Sequence, residues 1–354
     1  MLDNSIFEEP IYGWDFEKKN KFYLNEIKKL TFHHSKNCQQ YKNILQTLYY
    51  KKLNFKTINN FPFIPVKLFK YLNLMSIDKN NLFKTMRSSG TTNNQPSTIF
   101  LDKINAANQT KVLTKIVTSF IGSKRLPMLV IDAKSTISSR KNFSARGAAI
   151  IGFSLFGKDI TYALNDDLSI NYQAIADFHK KYKNSKILIF GFTYILYKNF
   201  LKQLSSKSQY SFHKESIVIH GGGWKKMHEA SITNLKFKRL VKKNIGINNV
   251  HNYYGLIEQT GSIFFECEHG FLHCSIYSDI MVRSNTIEAA KDSGKGIVQL
   301  LSPLATSYPG HNILTEDIAT IIGIDDCKCG RKGKYFTIDG RLKNAEIRGC
   351  SDTR

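Results

Sequence analysis

An α/β fold is predicted for this chain from three observations. Residues 1 to about 85 show apolar positions at three- and four-residue spacing, which is typical of helices. After Arg87, short runs rich in valine and isoleucine alternate with helical stretches, and the runs end in Gly, Asp or Pro. This alternation is typical of an α/β sheet, with ligands at the strand ends. The predicted strands are PMLVIDA, SKILIFGF, ESIVIHGGG, NVHNYYG, GIVQLLSPL and DIATIIGID.

Three segments are expected from these patterns. A helical N-terminal layer spans residues 1–85, where two prolines in FPFIPVKLFKYL interrupt the helical pattern. An α/β core spans residues 86–340, and residues 341–354 form a C-terminal tail. No apolar run reaches the roughly 20 residues that a membrane span requires. The start, MLDNSIFEEP, is not typical of a signal peptide. A cytoplasmic protein is therefore expected, in which the six cysteines favour metal ligands or reactive thiols over disulfides.

The net charge of +23 suggests a nucleic-acid partner at first sight. However, the excess of lysine and arginine is spread along the chain, and its densest run, KFKRLVKK, has the spacing of a solvated helix face. Because a nucleic-acid surface concentrates charge on one face, no nucleic-acid partner is expected. A basic surface can still attract an acidic partner protein.

The segment SSGTTNNQPS follows the helical region and precedes the strand-like STIFLD. Small hydroxylated residues on a loop offer several hydroxyl and backbone N–H donors to phosphate oxygens, and a glycine allows close approach. A polar turn is the alternative interpretation. The candidate phosphate-binding residues are Ser88, Ser89, Gly90, Thr91 and Thr92.

Three glycines, Gly221, Gly222 and Gly223, directly follow the predicted strand ESIVI, with Trp224 after them. A tight turn accounts for one or two glycines. Three of them leave room for a flat ring or a phosphate against the backbone.

Two further segments carry charged residues beside predicted strands. NYYGLIEQTG contains Tyr254, Gly255 and Glu258, and a single carboxylate is adequate for a magnesium ion (Mg2+) shared with phosphates. Asp317 in LTEDIAT can accept hydrogen bonds from two ribose hydroxyls, and Arg341 in IDGRLKN can reach ribose or phosphate. Alone, each residue is also compatible with an ordinary charge beside a strand.

In this order, the four segments resemble the motifs of adenylate-forming enzymes over most of residues 85–345. The resemblance implies ATP and magnesium as cofactors and a carboxylic acid as substrate. It also implies the fold of the large N-terminal lobe of an adenylating enzyme. The chain stops soon after the arginine of the hinge, so the smaller C-terminal lobe is expected to be absent.

The resemblance also implies roles for single residues. Thr91 belongs to the phosphate loop, the triglycine segment lies on the adenine side, and Tyr254 stacks near adenine. Glu258 holds magnesium, and Asp317 binds ribose. The sequence departs from the motifs at three positions, which are Asn93, Ser97 and Ile257.

A narrower resemblance runs nearly end to end. FHHSKNCQQY, FPFIPVKLFKY, SSGTT, GGGW and the terminal RGCS are similar to the acyl-protein synthetase component of the bioluminescence fatty-acid reductase. This resemblance implies formation of an acyl-AMP, transfer of the acyl group to Cys350, and hand-over to a reductase partner. Two alternatives stay open: acylation of coenzyme A or a carrier protein, and a non-catalytic scaffold. Without the resemblance, Cys350 is an incidental residue of the terminus.

A separate signal lies in ECEHGFLHC and CKCG, segments similar to a pair in phenylacetate-CoA-ligase-like enzymes. Their three sulfurs and one nitrogen form a donor set that structural zinc (Zn2+) prefers. The alternative is that the cysteines of the first segment are buried small apolar residues and that CKC lies on an exposed turn. The predicted ligands are Cys267, His273, Cys327 and Cys329, with His269 and Cys274 as competing candidates.

Overall fold

The computed structural model of the protein describes residues 3–49, 55–88, 95–138, 145–204, 210–223, 232–284 and 288–342. Within these ranges the chain forms eight α-helices, which are α1 (Phe16–Asn37), α2 (Gln39–Tyr49), α3 (Leu68–Tyr71), α4 (Lys103–Ile121), α5 (Ala145–Ser154), α6 (Tyr172–Tyr182), α7 (Thr193–Ile195) and α8 (Asn234–Ile245). No described helix has both the length and the apolar character to cross a membrane.

The described strands are β1 (Ile64–Pro65), β2 (Lys84–Arg87), β3 (Thr98–Leu101), β4 (Leu126–Ala133), β5 (Gly157–Leu164), β6 (Leu188–Phe192), β7 (Ile217–Gly221), β8 (Asn249–Tyr254), β9 (Phe264–Glu266), β10 (Leu272–His273), β11 (Asp279–Arg283), β12 (Gly294–Leu301), β13 (Asn312–Ile324) and β14 (Lys334–Arg341). The elements form two compact units. The described part of the first unit is residues 3–119 and 255–342, and that of the second unit is residues 120–254.

In the first unit, helix α1 packs an apolar stripe against a mostly antiparallel sheet. The helix begins at Asp15, whose side chain accepts a hydrogen bond from the backbone N–H of Lys18 and so caps the first turn. Tyr23 and Ile27 lie four residues apart on one face and are fully buried. They join a core cluster that includes Leu301 of β12. The burial of this face, rather than helix propensity alone, stabilises the N-terminal layer.

The sheet of the first unit pairs its strands in the order β11, β12, β13, β14, β10 and β9, all antiparallel. Strand β1 adds a short parallel pairing at the start of β13. Strands β2 and β3 form a separate hairpin. The register of β13 is irregular against both β12 and β14, near Asp317.

The second unit holds a five-stranded parallel sheet in the order β5, β4, β6, β7 and β8. Its central strands β6 and β7 are buried at every position, as expected when helices cover both faces. All carboxyl ends of parallel strands meet at one edge, where α/β proteins bind ligands. The strand β7 ends there at Gly221.

The predicted α/β fold is confirmed, and each of the six predicted strands is present. The helical pattern of the N-terminal segment is confirmed in α1 and α2. Seven strands were not predicted from the sequence, namely β1, β2, β5, β9, β10, β11 and β14. Of these, β1 and β2 lie in or at the end of the N-terminal segment that was predicted to be helical. The segment boundaries at residues 85 and 340 stay a prediction.

Candidate functional site

The triglycine segment continues from the carboxyl end of β7 in the second unit. A Cβ atom on Gly221 would lie 2.4 Å from the Tyr253 ring, so only glycine fits beneath that ring. Gly222 has φ +82 and approaches Phe192, and a Cβ there would lie 2.6 Å from that ring. Gly223 also has a positive φ, and no atom of the described residues lies within 4 Å of its Cβ position. Gly222 and Gly223 therefore have the left-handed backbone that favours glycine, and the role of the segment in binding a flat ring or a phosphate stays a prediction.

Tyr254 ends β8 and is half-buried in the second unit. Gly255, the next residue along the chain, is the first residue of the C-terminal part of the first unit.

Glu258 lies in a short 3₁₀ helix, Ile257–Gln259, of the first unit and is only 2% exposed. The Tyr308 hydroxyl donates to the Glu258 carbonyl oxygen at 2.9 Å. The Gln259 amide donates to the Leu300 and Gly310 carbonyl oxygens, at 3.2 Å and 2.9 Å. These bonds fix the backbone on both sides of the carboxylate. Neither Tyr308 nor Gln259 was predicted from the sequence.

Asp317 lies at a double irregularity of β13. Three residues of β13, Thr315 to Asp317, stand opposite one residue of β12, and the register against β14 shifts just after Ile318. The Thr315 hydroxyl accepts from the Asp317 backbone N–H at 3.1 Å and donates to the Val298 carbonyl at 3.0 Å. Such bulges redirect side chains near functional sites. The bulge thus accounts for a half-buried aspartate that directly follows the buried residues at the start of β13.

Arg341 stands directly opposite Asp317 in the pairing of β13 with β14. Its Nε lies 3.2 Å from Asp317 Oδ1, and its Nη2 lies 2.9 Å from Glu316 Oε2. The second carboxylate oxygen of Glu316 contacts Lys67 Nζ at 2.9 Å. Two acids and two bases therefore alternate in one network. Glu316 and Lys67 were not predicted from the sequence, although the acidic pair in LTEDIAT was a visible signal for Glu316.

Ser88 lies at the base of the β2–β3 hairpin. Its backbone N–H donates to the Ser97 carbonyl at 2.9 Å, and its hydroxyl accepts from the Ser97 backbone N–H at 2.8 Å. These bonds close the ends of the predicted phosphate loop. Five predicted site residues lie outside the described residues: Ser89, Gly90, Thr91, Thr92 and Cys350.

The four predicted zinc ligands come together in the first unit. Cys267 follows β9, His273 is in β10, and Cys327 and Cys329 lie between β13 and β14. Their candidate ligand atoms all lie within 4.8 Å of one another, and Cys329 Sγ is 3.3 Å from His273 Nε2. The competing candidates His269 and Cys274 are not part of this cluster.

The donor set fits a structural zinc ion, which takes four thiolate and imidazole ligands in tetrahedral geometry. Burial is the main cause that lowers the pKa of His273, to about 4, so its ring is neutral at neutral pH, as a metal ligand must be. The ring stacks on Tyr335 at 5.6 Å and meets Tyr12 edge-on at 6.2 Å. Ring packing therefore orients the imidazole, whose buried Nδ1 has no hydrogen-bond partner among the described residues.

The fold is that of adenylate-forming ligases. A crystal structure of 2-hydroxyisobutyryl-CoA ligase in an open conformation, with 2-HIB-AMP and CoA, has a TM-score of 0.67. It covers 94% of this chain and 77% of that chain at 11% identity. A second structure of this ligase, in the thioesterification state, has a TM-score of 0.65. The match covers 94% of this chain and 70% of the ligase chain, at 12% sequence identity.

Sequence similarity identifies a narrower class of ligases than the fold does. The long-chain-fatty-acid–luciferin-component ligase of Aliivibrio fischeri is 20% identical over 357 residues, covering 99% of this chain and 92% of that protein. Residues 1–354 match the family described as acyl-protein synthetase, LuxE, and the chain belongs to this family. The protein is therefore a ligase that activates an acyl group with ATP and transfers it.

Proposed function

We propose that this ligase converts a fatty acid and ATP into an acyl-adenylate, and then transfers the acyl group to the thiol of its own Cys350. A carboxylate oxygen of the acid attacks the α-phosphorus of ATP, and pyrophosphate leaves. The Cys350 thiolate then attacks the acyl carbonyl, and AMP leaves. The relative from Aliivibrio fischeri, whose name specifies a long-chain fatty acid, supports this class of acid.

The pairing of Asp317 with Arg341 carries the proposal. These two residues belong to separate motifs, and β13 and β14 bring them into direct register at a bulge. In the proposal Asp317 accepts hydrogen bonds from the ribose hydroxyls, and Arg341 neutralises charge near ribose or phosphate. The triglycine segment contacts adenine, beside which Tyr254 stacks.

Magnesium is proposed at Glu258. The carboxylate is buried, and its backbone is fixed by Tyr308 and Gln259, so it is preorganised for a hard cation shared with phosphate. When bound, the ion would neutralise phosphate charge. The residues Ser88, Ser89, Gly90, Thr91 and Thr92 would donate hydrogen bonds to the phosphate oxygens.

Pyrophosphate exchange into ATP, measured with acids of increasing chain length, tests adenylation. Glu258→Gln keeps the shape of the side chain but removes its charge, so the exchange rate should fall about 100-fold. The KM for ATP should change much less, because the charge acts mainly as the reaction proceeds. Wild-type protein that exchanges pyrophosphate with none of the acids would contradict the proposal.

The acyl acceptor requires a separate experiment. Cys350 is near the chain terminus, with Arg348 two residues before it, and a nearby cation favours the thiolate. A radioactive acid with ATP should label the wild-type chain through a hydroxylamine-sensitive bond. Cys350→Ser should keep pyrophosphate exchange but lose the label. Cys38→Ser, which changes a buried cysteine, is the control and should stay labelled.

The proposed physiological partner is a reductase that takes the acyl group from Cys350. A second acceptor is favoured by one observation, since two of the structural neighbours are CoA ligases with bound CoA. If CoA is the acceptor, acyl-CoA will form in solution while the chain stays unlabelled. If a carrier protein is the acceptor, added carrier will take the label.

Zinc is proposed as a structural ion held by the Cys–His cluster. The cluster joins the β9–β10 hairpin to the loop between β13 and β14. A bound ion would hold the short strands β9 and β10 to the loop between β13 and β14. No role in the acyl chemistry is assigned to it.

A further inference from the structure

A buried threonine connects the carboxyl ends of two neighbouring strands in the second unit. Strands β6 and β7 pair in parallel with Phe192 opposite Gly221, and Thr193 follows directly after β6. Thr193 Oγ1 lies 2.9 Å from His220 Nδ1 and 3.0 Å from the Gly221 carbonyl oxygen. Thr193 is 4% exposed and His220 is 2% exposed. One hydroxyl group therefore contacts the first glycine of the triglycine segment and the histidine that precedes it.

The direction of these hydrogen bonds follows from the chemistry of the groups. A carbonyl oxygen only accepts, so the Thr193 hydroxyl donates to Gly221, and its oxygen accepts from His220 Nδ1–H. Burial, with smaller effects from Lys238 and His251, lowers the pKa of His220 to about 3. The neutral ring therefore carries its one proton on Nδ1. Its Nε2 has no hydrogen-bond partner among the described residues.

This chain of donors fixes the direction in which the backbone leaves β7. Successive hydrogen bonds polarise one another in a buried setting, which strengthens the bond to the Gly221 carbonyl. The rings of Tyr253 and Phe192 limit Gly221 and Gly222 on other sides. At Gly223, by contrast, the Cβ position meets no atom within 4 Å in the described part of the chain. The hydroxyl thus sets the path of the backbone that leads into Gly222 and Gly223.

We infer that Thr193 is a positioning residue for ATP, which acts through the backbone of Gly221–Gly223 without touching the nucleotide. The inference rests on the proposed role of the triglycine segment in binding adenine. Thr193 affects where the binding backbone lies before ATP arrives. Its loss should therefore weaken ATP binding more than it slows the chemical step.

Thr193→Val tests this inference, because valine has nearly the same shape but forms neither hydrogen bond. In pyrophosphate exchange the KM for ATP should rise about 10-fold, consistent with the loss of two buried hydrogen bonds. The maximal rate should stay within about two-fold of wild type, and the KM for the acid should not change. Thr193→Ser keeps the hydroxyl and should restore the KM for ATP.

The same two strands offer a matched control at their opposite ends. Ser216 precedes β7, is fully buried, and its hydroxyl accepts from the backbone N–H of Ile187 at 3.2 Å. Ser216→Ala removes a hydroxyl contact between the same strands, far along them from the glycines. It should lower thermal stability and leave the KM for ATP at the wild-type value.

A wild-type KM for ATP in Thr193→Val would overturn the inference, as would an equal rise in Ser216→Ala. If Thr193→Val does not fold, Thr193→Cys, with a weaker donor of similar size, is judged in the same way. If wild-type protein shows no exchange with any acid, the proposed function fails independently. Calorimetric ATP affinities of the same variants then decide the inference on their own.

Discussion

The two units support their candidate site residues by different means. In the second unit, the triglycine segment is supported by uncharged groups, namely the Thr193 hydroxyl, a neutral His220 and two aromatic rings. In the first unit, Asp317 is in a network of charges with Arg341, Glu316 and Lys67. The first unit also contains the Cys–His cluster.

Because of this difference, the two units are expected to respond differently to salt and to metal chelators. Hydrogen bonds between neutral buried groups depend little on salt, whereas ion pairs weaken as salt screens them, most of all near the surface. A Cys–His cluster adds a dependence on metal supply. Chelators and salt should therefore act mainly on the first unit, and the experiments below test that contrast.

Loss of the metal should have the largest effect. Purified protein should contain about one zinc per chain, and chelation should lower its melting temperature, because structural zinc supplies roughly 10–16 kcal/mol of apparent binding free energy in small domains. Cys327→Ser should lose zinc. Cys274→Ser, which changes a buried cysteine outside the cluster, should retain it. The zinc site would be refuted if native protein contained no zinc and its melting temperature did not change on chelation.

Removing the charge of Asp317 should have the next largest effect. Hydrogen bonds to a charged group contribute about 1.5–3 kcal/mol, so Asp317→Asn should raise the KM for ATP about 10- to 100-fold in pyrophosphate exchange. Asp339→Asn is the control in the neighbouring strand. Its carboxylate contacts Thr320 and Lys295, and its KM should match wild type. Equal KM values in the two variants would exclude Asp317 as a ribose ligand.

Both units contain buried histidines, so both should respond to pH, unlike the responses to salt and chelators, which should differ between the units. In the first unit, His34 stacks on His311 at 4.9 Å, and His311 Nε2 lies 3.1 Å from the Thr31 hydroxyl. Burial lowers the pKa of His311 to about 3, from an ordinary value of 6.5. Burial, with the neighbouring histidines, also holds the pKa of His34 well below its usual range.

The sign of the pH dependence follows from these shifts. Between about pH 6.5 and 3 the unfolded chain binds protons that the folded chain excludes, so the free energy of unfolding falls as the pH falls. Above pH 6.5 the contribution is fully present. Each such histidine should cost about 1.4 kcal/mol per pH unit below 6.5. In urea denaturation, His311→Gln should reduce this slope. An unchanged slope would show that His311 titrates normally.

The sequence predicted the parts of the fold that repeat a pattern. The parallel strands β4, β6, β7 and β8 were predicted because short apolar runs that end in Gly or Asp are typical of buried strands. Strand β5 was missed, because its first half is exposed and carries Lys158 and Asp159. Strands β9 and β10 are only three and two residues long. Pattern arguments need longer segments than these.

Some residues of the candidate site were likewise predicted from the sequence, and others were not. Motif order identified Glu258, Asp317 and Arg341, and residue chemistry identified the four members of the Cys–His cluster. Lys67 and Tyr308 were missed because each contacts the site from a distant part of the chain, whereas Gln259 and Glu316 are sequence neighbours of Glu258 and Asp317 whose contacts appear only in the fold. Lys67 meets Glu316 across 249 positions of sequence, and only the pairing of β1 with β13 brings the two segments together. Threonine after a strand, as at Thr193, has no distinctive sequence signal.

The smallest expected effect concerns Lys67, and it measures how far the charge network extends. The Lys67 side chain is 45% exposed and its partner Glu316 is 8% exposed, whereas Lys295 is 64% exposed and its partner Asp339 is 23% exposed. Glu316 keeps Arg341 at 2.9 Å when Lys67 is removed, so its buried carboxylate still has one cationic partner. Lys67→Met should therefore cost only about 0.5–1 kcal/mol of unfolding free energy, within the range of exposed pairs.

Lys295→Met should cost less than Lys67→Met, because both members of its ion pair are more exposed and water screens them better. Urea denaturation at low salt and in 1 M sodium chloride provides the comparison. The difference between the two variants should shrink at high salt, where the screening length is about 3 Å. The KM for ATP should stay within about two-fold of wild type in both, since neither lysine contacts Asp317 in an ion pair. A ten-fold change in Lys67→Met alone would show that the network acts as one unit with Asp317, and that the charges of the first unit are as strongly coupled as the hydrogen bonds of the second.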